Sequence, residues 1–268
     1  STNGNDILLN VFPYLTNDQI WGSPILEDVD LDGNLDVVFV SKDGAIYALD
    51  KFGLKWSYQT ESRLIGTPSL LNTNDSADYE IVVAGYSNNQ DNFYIFSSDG
   101  VLIDQIEILD KIKSGFAIAD LDENGYDDIV FGTDDDNLYL IQDGTQIAPG
   151  FPIELNDKVT FKPIVVNHSN EENSYQIIVP SKNIIYGLDR YGNIIFQTEF
   201  NDDISTSPSV LATQTNLKIF IGNENGDIYW LDSNGSSHFL KNINSEVVGE
   251  IVFSDLNADL SPEIIAVN

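Results

Sequence analysis

The protein is 268 residues long and strongly acidic, with 43 aspartate and glutamate residues against 12 lysine and arginine residues and a formal net charge of −31. Phosphate backbones and anionic lipids repel such a polyanion, which excludes nucleic acid and membrane surfaces as partners. The chain has no cysteine, so it has neither a disulfide framework nor a thiolate metal site. No run of 18 apolar residues occurs, so insertion into a membrane is not expected.

A short motif centred on a tyrosine and followed by a turn glycine recurs five times. The tyrosines are spaced 47, 45, 47 and 43 residues apart, at Tyr47, Tyr94, Tyr139, Tyr186 and Tyr229. This spacing is close to the period of a four-stranded propeller blade. The sequence therefore predicts an all-β chain, a β-propeller of about six four-stranded blades that forms a single domain over residues 1–268.

Each period is interpreted as four short strands. The first carries a dipeptide that ends in proline, the second is apolar and β-branched, the third holds the tyrosine, and the fourth alternates polar and apolar residues. The dipeptides are Ser23-Pro24, Thr67-Pro68, Lys162-Pro163 and Ser207-Pro208. No segment of helical length has a 3.6-residue period, so no helix is predicted.

The two ends of the chain each supply part of a blade. Ile7–Leu15 resembles an outer strand without a blade of its own, and Val247–Asn268 supplies only a first and a second strand. We therefore expect the N-terminal strand to close the last blade. The chain starts at Ser1 and contains no methionine, so we also expect it to be part of a larger protein with further domains.

Three repeats carry a nine-residue acidic loop between the first and second strands. Oxygen-bearing side chains stand at positions 1, 3, 5 and 9, and a backbone carbonyl at position 7 can complete the set. The loops are Asp28–Asp36, Asp120–Asp128 and Asp255–Glu263. Glycine at position 6 permits the sharp turn in the first two, whereas the third has Leu260 there. Because all-oxygen ligands suit Ca²⁺, two calcium sites are predicted, with a third possible.

The remaining repeats have lost this pattern, and no ion is predicted in them. The second keeps the spacing with one carboxylate, the fourth has its acids out of register, and the fifth is short and carries no acid. These loops contain Asn72, Asn74, Ser76 and Glu80 in the second, Glu171 and Glu172 in the fourth, and 212–218 in the fifth. Acids outside the three loops are interpreted as a solvated surface.

The loop pattern D-x-D-x-D-G-x-x-D, followed by an apolar strand, resembles the FG-GAP/VCBS repeats of integrin α-chain propellers and bacterial surface proteins. The resemblance covers essentially the whole chain and implies a propeller in which calcium is structural. In that family the molecules that the propeller binds usually contact another part of the disc. It implies metal ligands at Asp28, Asp30, Asp32, Asn34 and Asp36, and at Asp120, Asp122, Asn124, Tyr126 and Asp128, with Asn34 and Tyr126 acting through their carbonyls. Asp255, Asn257, Asp259, Ser261 and Glu263 form the divergent third set.

No catalytic set can be assembled from the sequence. Glu27 and Glu250 are the acids on the predicted inner strands, and lone acids there are more often structural. The histidines, His168 and His238, fall in a loop and in a predicted outer strand, and no Ser-His-Asp or Cys-His set results. The repeated tyrosines, with Trp21, Trp56 and Trp230, are interpreted as packing between blades rather than as a sugar-stacking ring.

These observations favour a non-catalytic calcium-binding module of an extracellular or cell-surface protein, serving adhesion, assembly or the binding of a protein or glycan ligand. Two alternatives stay open. One is a carbohydrate-active enzyme, a polysaccharide lyase or glycosidase, in which calcium supports a channel site. The other is a structural spacer. The sequence does not name the ligand.

Overall fold

The computed structural model describes residues 13–74, 77–87, 92–167, 175–212, 217–259 and 261–268. Every regular element in these ranges is a β-strand and none is a helix, so the predicted all-β class is confirmed. The same ranges accordingly hold no helix long and apolar enough to cross a membrane.

The described residues fall into two compact units, residues 13–115 with 142–146 and residues 116–141 with those from 147 onward. The first unit contains two four-stranded antiparallel sheets, each a meander of consecutive strands. Their strands are β1 (Ile25–Glu27), β2 (Asp36–Val40), β3 (Ala45–Asp50) and β4 (Gly53–Gln59), then β5 (Ser69–Leu71), β6 (Glu80–Ala84), β7 (Phe93–Phe96) and β8 (Leu102–Ile106). The expectation of one domain over residues 1–268 stays a prediction.

The second unit contains the remaining four sheets, apart from residues 142–146 of the third sheet, which belong to the first unit. In the third sheet two short strands, β12 and β13, both pair with β11; the fourth and fifth sheets are four-stranded meanders, and the sixth has two described strands. The strands are β9 (Ala117–Ala119), β10 (Asp128–Gly132), β11 (Asn137–Gln142), β12 (Gln146–Ile147) and β13 (Ile153–Glu154); β14 (Ile164–Asn167), β15 (Tyr175–Ser181), β16 (Ile184–Leu188) and β17 (Ile194–Glu199); β18 (Ser209–Ala212), β19 (Leu217–Gly222), β20 (Asp227–Leu231) and β21 (Ser237–Asn242); β22 (Val248–Ser254) and β23 (Glu263–Val267).

The strand order within each repeat is the predicted one, with one correction. The proline dipeptides lie immediately before the inner strands β1, β5, β14 and β18 rather than within them. Proline has no N–H to donate to the ladder, so it fits the position before a strand better than one inside it.

The core lies between neighbouring sheets and is built mainly from their second and third strands. Every residue of β6, β7, β10 and β16 is buried. The third-strand tyrosines contribute to it: Tyr94 packs between the first and second sheets and Tyr186 between the third and fourth, each 2% exposed. For these two tyrosines the predicted packing between blades is confirmed. Tyr47 is buried in a cluster of the first sheet alone, and Tyr139 and Tyr229 are half-buried.

The tryptophans are less buried than the tyrosines. Trp56 and Trp230 are half-buried and pack against the core clusters. Trp21 is 62% exposed, with the Lys42 ammonium 4.2 Å above its ring. The interpretation of Trp21 as a core residue is therefore wrong: it lies before the first strand, where no sheet covers it.

At the C-terminus, residues 247–268 form a first and a second strand as predicted. The N-terminal strand expected at Ile7–Leu15 falls mostly outside the described residues, and the three described ones, 13–15, are not in a strand. Closure of the last blade by this segment stays a prediction.

Candidate metal centre

The three acidic loops join the first and second strands of their sheets, in the same register. In each, the residue before position 1 pairs with position 9 across the hairpin neck: Glu27 with Asp36, Ala119 with Asp128, and Ser254 with Glu263. Positions 1 and 9 are therefore held next to each other, and the intervening chain must curl back over them.

One hydrogen bond closes each of these hairpins. The carboxylate at position 9 accepts the backbone N–H of position 2. The distances are 3.2 Å for Val29 N to Asp36 Oδ2, 3.0 Å for Leu121 N to Asp128 Oδ2 and 2.7 Å for Leu256 N to Glu263 Oε2. The second sheet, whose loop has lost most of its acids, keeps the same bond at 2.9 Å between Thr73 N and Glu80 Oε2. One oxygen of the position 9 carboxylate thus accepts this backbone bond. In Asp36, Glu80 and Glu263 the other oxygen bonds to a side chain at the loop.

The glycine at position 6 has the role that the sequence predicts. Gly33 and Gly125 have φ angles of 87° and 98°, in the left-handed region, and their N–H groups donate to Asp28 Oδ2 at 2.9 Å and Asp120 Oδ2 at 2.8 Å. The corresponding Leu260 lies outside the described residues. The backbone at position 4 is also left-handed in all three loops, with φ of 58–62° at Leu31, Glu123 and Ala258. Sequence reasoning missed this because none of the three is glycine or asparagine.

The first loop brings three predicted ligands together. Carboxylate oxygens of Asp28, Asp30 and Asp36 all lie within 4.8 Å of one another. Two oxygens bound to one calcium at 2.3–2.6 Å are at most about 5 Å apart, so this spacing fits the ion. Asp28 Oδ1 is buried and has no hydrogen-bond partner, and Asp36 is 2% exposed. A buried carboxylate oxygen without a partner is costly, and a cation in the loop would satisfy it.

A lysine from the fourth strand reaches into this loop. Lys55 Nζ lies 2.6 Å from Asp30 Oδ2, 2.9 Å from Asp36 Oδ1 and 3.9 Å from Asp32 Oδ2. Burial acts to lower the Lys55 pKa, but hydrogen bonds to Asp30 and Asp36 outweigh it, so that the pKa is raised and the amine stays charged. The ammonium group is thus a positive charge that stands among the predicted ligands.

A β-bulge explains why Lys55 points there. Trp56 pairs with Ala48 and Leu54 with Leu49, which leaves Lys55 as the extra residue of β4. Bulges re-aim side chains in this way. The bulges at the same place in the second and fourth sheets carry Ile103 and Ile195 instead, which have no charge.

Two more predicted ligands of the first loop, Asp32 and Asn34, lie at its tip. Asn34 donates to Asp32 Oδ1 through its backbone and its side-chain amide, both at 2.8 Å, and these bonds hold the Asp32 pKa below its ordinary value. The Asn34 side-chain oxygen accepts a hydrogen bond from Lys51. Asp32 is more exposed than Asp30 or Asp36, so the buried side of the site is formed by positions 1, 3 and 9.

In the second loop, as in the first, side chains at positions 1, 3 and 5 accept hydrogen bonds from backbone N–H groups of the same loop. Asp120 accepts the N–H groups of Asn124 and Gly125, Asp122 also accepts the N–H of Asn124 at 3.3 Å, and Asn124 Oδ1 accepts that of Tyr126 at 2.8 Å. Asp128 is 2% exposed, as Asp36 is. Within the described part of the chain, the 4.8 Å convergence of three carboxylates is met by the first loop and not by the second.

The third loop differs in burial and in its internal contacts. Asp255, Asn257, Asp259 and Ser261 are exposed and Glu263 is half-buried. The Asn257 amide nitrogen donates to Glu263 Oε1 at 2.7 Å, and Asp259 Oδ1 accepts the Ser261 N–H at 2.8 Å. The structure therefore places these five residues in one loop, but two of its ligand positions already bond to each other.

Position 2 ties the first two loops to a neighbouring sheet. Val29 and Leu121 are each 1% exposed within core clusters that span two sheets. The Val29 carbonyl accepts the Tyr79 N–H at 3.1 Å, and the Leu121 carbonyl accepts Arg190 Nη1 at 3.3 Å. In the third loop the corresponding Leu256 is 68% exposed. Sequence reasoning assigned no role to position 2, although its apolar character was the available signal.

The other candidate residues do not form a catalytic set. Glu27 is exposed on β1, and His238 stacks on Trp230 with ring centroids 3.9 Å apart on the outer strand predicted for it. His168 lies outside the described residues. Glu250 and Lys162 line a cavity of about 400 Å³ along the inner strands of the second unit.

No protein-family model matches the chain, and no curated protein sequence matches it significantly. Solved structures do resemble it. BBS1N, in a complex with ARL6DN, has a TM-score of 0.59 and 13% identity over 98% of this chain and 91% of that one. The WD40 β-propeller domain of Doa1 has a TM-score of 0.56 and 13% identity over 91% and 74%.

The biofilm matrix protein Bap1 of V. cholerae is also similar, with a TM-score of 0.62 and 17% identity over 86% of this chain and 41% of that one. At these identities the similarity shows the fold alone. Together with the consecutive antiparallel sheets, it confirms the predicted β-propeller fold.

Burial at position 2 gives a prediction about stability. Leu121→Ala should lower the free energy of unfolding by about 2–5 kcal/mol, because it opens a cavity in a well-packed core. Leu256→Ala, the matched change at an exposed position, should alter it by no more than about 0.5 kcal/mol. Urea unfolding of both variants measures the difference, and equal losses would contradict the assigned role of position 2.

Proposed function

We propose that the chain is a non-catalytic, calcium-stabilised propeller module that binds or presents a protein or glycan partner outside the cell. The observation that carries the calcium assignment is the first loop, where three carboxylates converge and a buried Asp28 oxygen has no partner. The second loop supports it with the same sequence pattern and the same kind of hydrogen bonds between its side chains and its backbone. The resemblance to FG-GAP/VCBS repeats is part of this proposal.

The ligands would be oxygens of positions 1, 3, 5 and 9, with the position 7 carbonyl. In the first loop these are Asp28, Asp30, Asp32, Asn34 and Asp36, and in the second Asp120, Asp122, Asn124, Tyr126 and Asp128. Bound calcium would supply positive charge to carboxylates that otherwise repel one another. In the first loop it would displace the Lys55 ammonium, which is held among the same oxygens.

The proposed role of the ions is structural. Each ligand loop is closed at its neck by the position 9 carboxylate and held to a neighbouring sheet through position 2. An ion that holds the loop would therefore stabilise the packing of two sheets. This leaves the partner to bind elsewhere on the module. Calcium at millimolar concentration, a cysteine-free chain and a charge of −31 fit an extracellular or cell-surface setting.

A binding module and a structural spacer differ in whether the isolated chain has a ligand. Two of the similar proteins are a biofilm matrix protein and a protein solved with a partner, which motivates the choice of probes without deciding it. A glycan array and immobilised candidate surface proteins, probed with the calcium-loaded chain, test this point. Saturable binding supports the module, and its absence across both panels supports the spacer.

Calcium should stabilise the chain. Sites of this type in extracellular modules have dissociation constants on the order of 10⁻⁴ to 10⁻³ M. When free calcium is a hundredfold above the dissociation constant, each site should add about 2.7 kcal/mol to the free energy of unfolding, which raises the melting temperature by several degrees. Calorimetry should count two ions, and Asp30→Ala and Asp122→Ala should each remove about one.

Asn74→Ala is the control for this count, because its loop is not predicted to bind an ion. The number of bound ions should stay the same in that variant. If calorimetry detects no calcium binding, or if a chelator leaves the melting temperature unchanged, the calcium assignment is wrong.

Lys55 should compete with calcium at the first loop. Lys55→Met should tighten calcium binding there by about tenfold, equivalent to roughly 1.4 kcal/mol, because the ion no longer has to displace an ammonium group. In a chelator the same variant should melt at a lower temperature, because the clustered carboxylates lose their counter-charge. Lys42→Met removes the same charge away from the loops and is the control; equal effects of both variants would show that net charge alone is responsible.

A carbohydrate-active enzyme is the second candidate, because Glu250 and Lys162 share a cavity. We expect no turnover of polysaccharides, since lone inner-strand acids lack an acid–base partner of the kind that glycosidases use. Incubation with a polysaccharide panel, analysed for new reducing ends and unsaturated products, measures this. Turnover that Glu250→Gln or Glu27→Gln abolishes would establish the enzyme instead.

A further inference from the structure

Positions 3 and 9 of the described loops occur in two combinations. In one combination both residues are aspartate, and in the other position 3 is asparagine and position 9 is glutamate. The first comprises Asp30 with Asp36 and Asp122 with Asp128; the second comprises Asn74 with Glu80 and Asn257 with Glu263. The exchange of both residues together indicates that the two positions act as a pair.

In the asparagine–glutamate loops the two side chains bond directly to each other. Asn257 Nδ2 donates to Glu263 Oε1 at 2.7 Å, and Asn74 Nδ2 donates to Glu80 Oε1. The oxygen of the Asn257 amide is engaged as well, since it accepts the Asp259 N–H at 2.9 Å. These two contacts fix the amide with its nitrogen, rather than its oxygen, towards the glutamate.

This arrangement does not present a ligand set to an ion at these two positions. The Asn257 amide turns its nitrogen, a hydrogen-bond donor that cannot bind a cation, towards Glu263, while its oxygen accepts the Asp259 N–H. The amide then supplies, as a hydrogen-bond donor to a charged acceptor, part of the stabilisation that a cation would supply.

We propose that positions 3 and 9 determine whether a loop depends on metal, and that the asparagine–glutamate pair is an internal amide lock that replaces calcium. The proposal rests on the calcium sites proposed for the two aspartate–aspartate loops. It assigns the loop Asp255–Glu263 to the metal-independent class, although its spacing alone would allow a third ion. The degenerate loop of the second sheet is held closed in the same way, with Glu80 only 4% exposed.

The test compares the effect of a substitution in saturating calcium with its effect in a chelator. Asn257→Ala and Asn74→Ala should lower the melting temperature by the same amount in both media, about 2–4 °C for one lost hydrogen bond. Asp122→Ala should lower it much more in calcium than in the chelator. If the effect of Asn257→Ala appears in calcium alone, Asn257 is a metal ligand; if it is absent in both media, the lock contributes nothing. Either result overturns the proposal.

A conversion tests the pair directly in the second loop. The double variant Asp122→Asn, Asp128→Glu should lose one bound calcium by calorimetry, yet melt in the chelator at or above the temperature of the unchanged protein. Asp122→Ala with Asp128→Glu is the matched control, because it lacks the amide and should melt lower in the chelator. Equal melting temperatures for the two double variants would overturn the lock.

The two proposals fail in different ways. If the chain binds no calcium at all, the melting temperatures of the asparagine variants still report on the lock. If calcium binds to the first two loops but the Asn257→Ala effect depends on calcium, the proposed function stands and the amide lock is rejected.

Discussion

The hydrogen bond from the position 2 N–H to the position 9 carboxylate is the interaction on which the loop architecture depends. It is present in four sheets, at 2.7–3.2 Å, whether the loop is rich in acids or nearly without them. It closes the hairpin between the first two strands and fixes one oxygen of the position 9 side chain. The position 9 side chain is buried in three of these four sheets, at Asp36, Glu80 and Asp128. A buried carboxylate with one committed oxygen needs a partner for the other, and the loops differ in what that partner is.

The same hairpin also contacts the hydrophobic core. In the first two loops the residue that donates to the neck also packs its side chain into a core shared with a neighbouring sheet, whereas Leu256 of the third loop makes the same bond and is exposed. Val29 and Leu121 are buried there, and their carbonyls accept hydrogen bonds from Tyr79 and Arg190 of the neighbouring sheets. The loop is therefore a joint between the strands of one sheet and the core shared by two, and what stabilises it also stabilises the packing around it.

Much of this architecture could be predicted from sequence, because it follows from periodicity. The recurring tyrosines and apolar second strands predict the strand order, and the spacing of oxygens in Asp28–Asp36 predicts the loop in which three carboxylates converge. What could not be predicted depends on contacts between distant residues. Lys55 was unremarkable in the sequence, since its placement requires a bulge opposite Ala48 and Leu49. The pairing of Asn257 with Glu263 was likewise hidden, because spacing alone treats amide and carboxylate as equivalent oxygen donors.

The hairpin bond at the neck also bears on how such a chain can change over generations. Since it holds with aspartate or glutamate at position 9, the hairpin survives while the residues around it vary. Replacing aspartate by asparagine, or aspartate by glutamate, requires only one nucleotide change each. If the aspartate–aspartate loops bind calcium as proposed, a repeat of this kind can become independent of the ion one unit at a time, without passing through a form in which several units fail together. The present chain contains both kinds of loop, aspartate–aspartate and asparagine–glutamate, on the same hairpin.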